Sequence, residues 1–485
     1  MLSTRKSLAW SFSQEFFQKG TTFIGTIFVA RLLTPGEVGV FSIAMAANFF
    51  ISTFRSFGIG NYLIREPELT NDKIRTAFGM SILIQWTLGF FLYLIRPYLA
   101  ALYNEPGISD VLFLITLTFF IAPIGQPASA LLQREMRFDV LHHVSVIASM
   151  IGTVTTVTLA FQGWSYMALA WGALTGQAVR AVLLLVVRPD HLGLRPGFVH
   201  FRDILNFGSW MTASGVAMTV ATEGTKFVLG GFLTPASLAL YERAHQLPYH
   251  ARQALFKPVG RVLIPSFSKD IRAGVSIAPS VETYIAALTA VLWPMCLIMG
   301  FLATPIVLLL FGENWRVAGN LLPYLLAGMA IRSCLPTPNE ILIPYGLVRR
   351  LTALRVAQAV FTLSLAALGA LHSLELFAQL QVLNAGIFIA MNAVAIGSLI
   401  GVPAADMLRV YARSLSITVA AALPAFGTYA VFGTDVPLLW LLGTVAVCPL
   451  LWLFAVHVTA HPLKDEIMRS TNWLLRRNRQ VPGRF

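Results

Sequence analysis

With 485 residues, 56% hydrophobic, 12% charged and a mean hydropathy of +0.71, the chain is too apolar for a soluble domain, in which about 25% of residues are charged. The net charge of +13 does not by itself point to nucleic acid, because membrane proteins enrich their cytoplasmic loops in Lys and Arg. Cys296, Cys334 and Cys448 all fall in apolar segments and read as small buried hydrophobes, not as disulfides or a metal set.

Segments of about 20 apolar residues, the length that crosses the hydrocarbon core, recur from end to end. The N-terminal stretch MLSTRKSLAWSFSQEFFQKG has a positive start but no clean apolar core or cleavage site, so it reads as part of a first span. Hydropathy predicts about 14 spans, near 7–32, 37–62, 77–103, 109–133, 138–162, 164–187, 203–232, 236–266, 277–311, 317–345, 350–371, 376–400, 409–432 and 436–459. The connectors RLLTPGE, YNEPGISD, FQGWS, LTPAS, FGENW, LHSLE and FGTDVP carry almost no Lys or Arg. Those on the other side, such as REPELTNDKIRT, QREMRFDV, RPDHLGLRPGFVHFRD and VPAADMLRVYAR, are rich in both, which predicts cytoplasmic N- and C-termini. The tail DEIMRSTNWLLRRNRQVPGRF suits either a short interfacial helix on an anionic leaflet or a frayed basic end.

An internal repeat runs through this pattern. A shift of 200 positions places Trp10 over Trp210, Leu33-Thr34-Pro35 over Leu233-Thr234-Pro235, and Phe41 over Tyr241. PYLAALYNEP at 97–106 parallels TPIVLLLFGENW at 304–315. The expected fold is therefore an all-α polytopic membrane protein with two parallel-repeat six-helix bundles and two extra C-terminal helices. The bundles are expected at 1–188 and 203–402, joined by a cytoplasmic linker at 189–202. Helices 13 and 14 occupy 403–460, and a basic tail 461–485. Transporters built from such repeats bind substrate between the halves and alternate access by rocking.

Charge at membrane depth is costly and marks a pathway. On a helix over 240–261, Arg243, Gln246, His250, Gln253, Lys257 and Arg261 share a sector of roughly 80°, with His245 and Arg252 opposite and Pro248 and Pro258 expected to kink it. Lys226 and Arg243 each lie eight residues from the Thr234-Pro235 turn, so both should sit about 12 Å from it. Glu15 with Lys19, and Glu223 with Lys226, can neutralise each other on one helix face and simply glue helices, or serve a pathway. Arg243 has no obvious acidic partner except Glu242, which points about 100° away, so it is expected to face a cavity. Arg332, Gln126, Asn339, Asn384 and Asn392 add polar groups to other spans. Arg grips phosphate bidentately and Lys as a point charge, so the cationic stripe points to an amphipathic, phosphate-bearing cargo.

The sequence has no GxxxxGK[ST], HExxH, GxSxG or metal-spaced Cys/His cluster. No enzyme chemistry, cofactor, metal or nucleic-acid partner is expected. The connectors assigned to the outer side are too short to build the acidic site of a membrane glycosyltransferase or ligase.

The ordered set FVARLLTPGEVGVFSIA, FGIGNYLIREPELT, LLQREMRFDVL, KFVLGGFLTPASLALYERAHQLP, VGRVLIPSFSKD and TPIVLLLFGENW resembles bacterial polysaccharide flippases. These are the Wzx/PST-type exporters of the multidrug/oligosaccharidyl-lipid/polysaccharide superfamily, and the likeness runs over roughly residues 5 to 345. It implies two bundles forming a V around a cationic cavity. It also implies transport of an undecaprenyl-pyrophosphate-linked oligosaccharide from the cytoplasmic to the periplasmic leaflet of the bacterial inner membrane. Glu223 matches a commonly acidic position, Arg243 a commonly basic one, and Gly58 a glycine after span 2. Arg55-Ser56 departs from the pattern where an acidic residue is often found, which makes Arg55 an extra phosphate contact.

The leading expectation is thus a lipid-linked oligosaccharide flippase for exopolysaccharide, O-antigen or capsule synthesis. Lys19, Lys226, Arg243, Arg332 and Arg55 hold the pyrophosphate, Gln246 and His250 touch phosphate or sugar, and Glu15 or Glu223 is a protonation site. Its partners are the lipid-linked glycan and membrane lipids, with polysaccharide polymerase and glycosyltransferases as protein partners. The alternatives are a multidrug/cation antiporter of the same superfamily, which requires cavity carboxylates to dominate, a membrane glycosyltransferase or ligase, and a passive scramblase or scaffold.

Overall fold

The computed structural model describes residues 20, 23–55, 59–66, 68–189, 195–199, 201–202, 219, 223–459 and 461. Helices account for the regular structure among them. They are α1 (Phe23–Leu32), α2 (Pro35–Arg55), α3 (Ile59–Arg65), α4 (Asn71–Leu102), α5 (Gly107–Arg134), α6 (Phe138–Phe161), α7 (Ser165–Val187) and α8 (223–232). The series continues with α9 (Pro235–Arg272), α10 (Ala278–Phe301), α11 (Ala303–Phe311), α12 (Arg316–Arg332), α13 (Pro338–Leu342), α14 (Val348–Ala370), α15 (Leu374–Ile400), α16 (Ala404–Phe432) and α17 (Leu438–Val458). Ten of the described helices are long and apolar enough to cross a membrane, and many present large apolar side chains outward. On α17 these include Leu439, Trp440, Leu442 and Phe454. The chain is a multi-pass helical membrane protein.

The expectation of about 14 spans meets several local corrections. Span 9 is two helices, α10 and α11, interrupted at Leu302. Span 10 ends at Arg332, where Ser333 caps α12; Pro336 and Pro338 then prevent helix continuation, and the short α13 restarts at Pro338 with Thr337 and Glu340 forming a capping box. Span 2 is described as α2 and α3, with residues 56–58 and hence Gly58 outside the described set. α9, at 38 residues, is long enough to cross but too polar to count among the ten. It runs as one helix over both Pro248 and Pro258.

The 200-residue repeat has a local structural counterpart. α1 ends at Leu32 and α2 starts at Pro35; α8 ends at 232 and α9 starts at Pro235. In the first turn the Glu37 carboxylate accepts from the Thr34 backbone N–H at 2.7 Å, and in the second the Ser237 N–H donates to Thr34's counterpart, Thr234 Oγ1, at 3.2 Å. Both are Thr-Pro starts, with proline at the first helical position where its missing N–H costs no hydrogen bond.

Contacts divide the chain into two compact units, residues 1–240 and 241–485, whereas the sequence places the division at the 189–202 linker. In unit 1, α4 packs along α5, and α7 against both α5 and α6. Gly39 of α2 touches the start of α9 so closely that a Cβ there would lie 1.9 Å from the Pro235 carbonyl oxygen. The described part of the linker is tied to α4: Gly197 N–H donates to the Arg75 carbonyl at 2.9 Å, and Arg75 Nε to the Arg195 carbonyl at 3.1 Å.

In unit 2, α14 and α12 pack on α15, and α10 on α12. The two C-terminal helices are built into this unit: α16 lies along α10 and α17 along α16. Buried Thr289 and Ser414 share a 2.8 Å hydrogen bond, and Trp452 donates to the Ala290 carbonyl at 2.6 Å. A core of Phe267, Ile285, Leu292, Ile341, Leu354 and Ile396 joins five helices of the unit.

Candidate functional site

Among the described residues, Arg243 is the most deeply placed of the expected site residues. It sits two turns into α9, is only 7% exposed, and packs its guanidinium 5.1 Å from the Trp315 ring centre and 5.6 Å from that of Phe311. The FGENW turn makes this cage. Gly312 adopts φ 92°, ψ 179°, a conformation essentially restricted to glycine, and so reverses the chain between α11 and the short helical turn at Trp315. Both rings are almost completely buried. Arg243 Nη1 donates to Gln246 Oε1 at 3.2 Å, while its buried Nε has no acceptor among the described residues. Glu242 acts on it only through space, without an ion pair. Arg243 is thus a buried cation held by two rings and one amide, with one donor left over among the described residues.

The stripe expected along α9 therefore changes character along its length. It is buried at Arg243, half-buried at Gln246 and exposed at His250. Gln253 donates to Tyr249 Oη at 3.1 Å. The side chains of Lys257 and Arg261 lie outside the described set.

Elsewhere in unit 2, Arg332 ends α12 half-buried, with its guanidinium 4.7 Å from the Phe388 ring centre, close enough to feel the Tyr241 hydroxyl and the like charge of Arg252. In unit 1, Arg55 ends α2 5.7 Å from the Phe119 ring centre and feels the like charge of Arg180. No carboxylate among the described residues pairs with either Arg55 or Arg332. Lys226 differs: its Nζ is 2.9 Å from Glu223 Oε2, so the i,i+3 self-pairing weighed from the sequence is formed, and it also lies 5.7 Å from the Phe49 ring centre. Lys19 and Glu15 lie outside the described residues.

The uncharged polar residues are mostly spoken for. Gln126 accepts from Gln85 Nε2 at 2.6 Å and from Ser81 Oγ, joining α5 to α4. Asn384 accepts from Thr362 at 3.2 Å, Asn392 from Gln358 at 2.8 Å, and Asn339 from Arg355 at 2.7 Å. These hydrogen bonds tie helices together within their own units. Sequence reasoning missed the rings: Trp315 and Phe311 around Arg243, and Tyr241, His245 and Tyr249 on α9. The i,i+4 spacing of that last set was the available signal.

Two cavities complete the geometry. One in unit 1, about 660 Å³, is wholly apolar and is lined by Phe50, Phe54, Phe91, Ile95, Leu99 and Phe227, next in sequence to Lys226. One in unit 2, about 850 Å³, is lined among others by Trp293, Phe301, Asn320 and Tyr324 and by none of the basic candidates.

Residues 28–319 match the model of a family described as polysaccharide biosynthesis protein. The chain belongs to that family. It is 22% identical over 312 residues to the lipopolysaccharide biosynthesis protein WzxC of Escherichia coli strain K12, covering 63% of each chain. It is 24% identical over 344 residues to the succinoglycan biosynthesis transport protein ExoT of Rhizobium meliloti strain 1021, covering 70% of this chain and 68% of ExoT. The match thus spans somewhat under two thirds of WzxC's own length. Among solved structures, the lipid II flippase MurJ in an inward closed conformation superposes with a TM-score of 0.72 at 14% identity, over 93% of this chain and 99% of MurJ. An inward-facing multidrug resistance MATE family transporter of the MOP superfamily gives 0.55 at 12% identity, over 79% and 95%. The family agrees with the resemblance read from the ordered motifs, and the likeness to MurJ agrees with the all-α polytopic fold expected.

Proposed function

We propose that the protein is a flippase that moves an undecaprenyl-pyrophosphate-linked oligosaccharide from the cytoplasmic to the periplasmic leaflet by alternating access. It works in the bacterial cytoplasmic membrane with both termini in the cytoplasm, and it catalyses no covalent step. The observation that carries this reading is the Arg243 guanidinium, buried in an aromatic cage with one donor unsatisfied. Membership of a polysaccharide biosynthesis family supplies the class of cargo.

A guanidinium beside aromatic faces holds a diphosphate better than an ammonium would, because its fork matches two phosphate oxygens and its weaker hydration lowers the cost of burial. Arg332 and Arg55, which have no carboxylate partner among the described residues, are proposed as further phosphate contacts. Lys226 is available only when Glu223 lets go, so protonation of Glu223 would couple a proton to headgroup capture. Lys19 and Glu15 are proposed for the same two roles. Gln246 and His250 border the headgroup, and the apolar cavity beside Lys226 suits part of the isoprenoid tail. Polymerase and glycosyltransferases that supply and consume the glycan are the proposed protein partners. A cation antiporter would need carboxylates where these arginines stand.

Deletion of the gene is expected to abolish the surface polysaccharide and leave its lipid-linked precursor on the cytoplasmic face, with rescue by the wild-type chain. Normal polysaccharide in the deletion strain, or precursor already reaching the periplasmic face, refutes the proposal.

A further inference from the structure

α9 carries a run of exposed polar side chains. Between residues 245 and 252 its exposed side chains are His245, Tyr249, His250 and Arg252, all polar or able to hydrogen-bond. A helix facing lipid exposes leucine, valine and phenylalanine, as α17 does. His245, Tyr249 and Arg252 share one face of the helix and His250 flanks it; imidazole and guanidinium groups are costly against hydrocarbon, so these side chains suit water better than lipid.

On it the rings form a ladder. Tyr241 and His245 have centroids 5.8 Å apart with planes at 27°, and His245 and Tyr249 are 5.9 Å apart at 25°. The step is one helical turn, which i,i+4 spacing dictates. At such separations rings are offset, not closed face to face, so part of each π-face stays open. The ladder is held at both ends. Tyr241 meets Phe377 edge-on at 5.0 Å and 90°, and Tyr249 accepts a hydrogen bond from Gln253 at 3.1 Å, with His250 set against it at 5.7 Å and 70°. Tyr249 nevertheless remains 48% exposed.

We propose that Tyr241, His245 and Tyr249 form a stacking platform for the pyranose rings of the carried glycan, a reading that rests on the flippase assignment. A pyranose has one face of axial C–H bonds and a rim of hydroxyls. The C–H face packs on an aromatic π-face, while His250, Arg252 and Gln253 are at hand for the rim. Each ladder step is close to the length of one sugar residue, so successive rings are met by successive sugars. Such a platform reads the number of rings more than the pattern of hydroxyls, because every pyranose offers some C–H surface. It therefore grips a long repeat unit better than a short one.

The test uses the full chain in vesicles, with undecaprenyl pyrophosphate bearing either a single sugar or a complete repeat-unit oligosaccharide. Tyr249→Ala is expected to lower the rate for the oligosaccharide about 2- to 12-fold more than the rate for the single sugar, the range aromatic contacts of this kind represent. Tyr249→Leu, which keeps bulk without a π-face, should behave like Tyr249→Ala, and Tyr249→Trp should restore the preference. An unchanged ratio of the two rates in both Tyr249→Ala and Tyr249→Leu overturns the platform while leaving the flippase reading intact. A wild-type chain that moves neither lipid overturns the flippase reading and the platform with it.

Discussion

Replacing Arg243 by Met separates a role in holding the fold from a role in holding cargo. Two cation–π contacts, at 5.1 and 5.6 Å, contribute about 0.5–2 kcal/mol each in a desolvated site. The hydrogen bond to Gln246 adds about 1.5–3 kcal/mol. Against these stand the desolvation of a cation, several kcal/mol, and the orphaned Nε, about 1–3 kcal/mol. The two sides nearly balance. A methionine reaches about as far as Arg243 Nε, so it loses the charge and the guanidinium, keeps the packing of the stem, and can place its sulfur near the rings. Arg243→Met should therefore be neutral or as much as about 4 kcal/mol stabilising, as when other buried ionic groups are replaced by apolar ones. Thermal melting of purified protein, followed by tryptophan fluorescence, reads the first quantity, and surface polysaccharide at matched protein levels reads the second. Melting at or above the wild-type temperature with export lost is expected. A large drop in melting temperature, with export falling only in proportion to folded protein, would make Arg243 a structural residue; full export would remove it from the mechanism. Arg243→Lys, which keeps charge without the planar fork, should fall between.

Other substitutions test the surroundings. Gly312→Ala forces a side chain into φ 92°, a strain of about 1–3 kcal/mol, and should loosen the cage, lowering both the melting temperature and export; unaltered export would show that the turn does not position Phe311 and Trp315 for function. Gly39→Ala places a Cβ 1.9 Å from a backbone oxygen, so an overpacking cost of about 1–3 kcal/mol or more is expected in melting experiments, and an unchanged melt contradicts that contact. Gln85→Leu strips Gln126 and Ser81 of a shared partner, costing about 1–3 kcal/mol of stability with no change in glycan preference; a shifted preference would give Gln126 a part in sugar recognition. Glu223→Gln should make export insensitive to the proton gradient if that carboxylate couples transport, and an unaltered dependence excludes it.

Much of the fold was legible because two signals with different physical origins agreed. Apolar length marks spans irrespective of partners, and Lys/Arg asymmetry marks loops irrespective of apolarity. The repeated Leu-Thr-Pro turn was legible for a similar reason: Thr34 and Thr234 act within four residues of themselves. Legibility failed where packing decides. Gln126, Asn384 and Asn392 look alike as isolated polar residues in apolar spans, and only their partners across neighbouring helices, Gln85, Thr362 and Gln358, reveal them as ties. Span 9 broke at Leu302, a residue with no breaker character, so hydropathy ran straight through it. Arg243 was visible as a charge without a carboxylate, but its aromatic cage comes from a turn about seventy positions away. The ladder on α9 was present in the spacing of Tyr241, His245 and Tyr249; the cationic residues beside it drew the eye to charge instead of rings.

The most direct measurement is flipping by the purified, reconstituted chain of two polyprenyl lipids that carry the same glycan, one through a pyrophosphate and one through an uncharged linkage. Recognition of a diphosphate by Arg243 and the arginines proposed with it predicts movement of the first well above the protein-free rate and of the second at that background. Equal rates for the two lipids, or no movement of the pyrophosphate lipid, would contradict it.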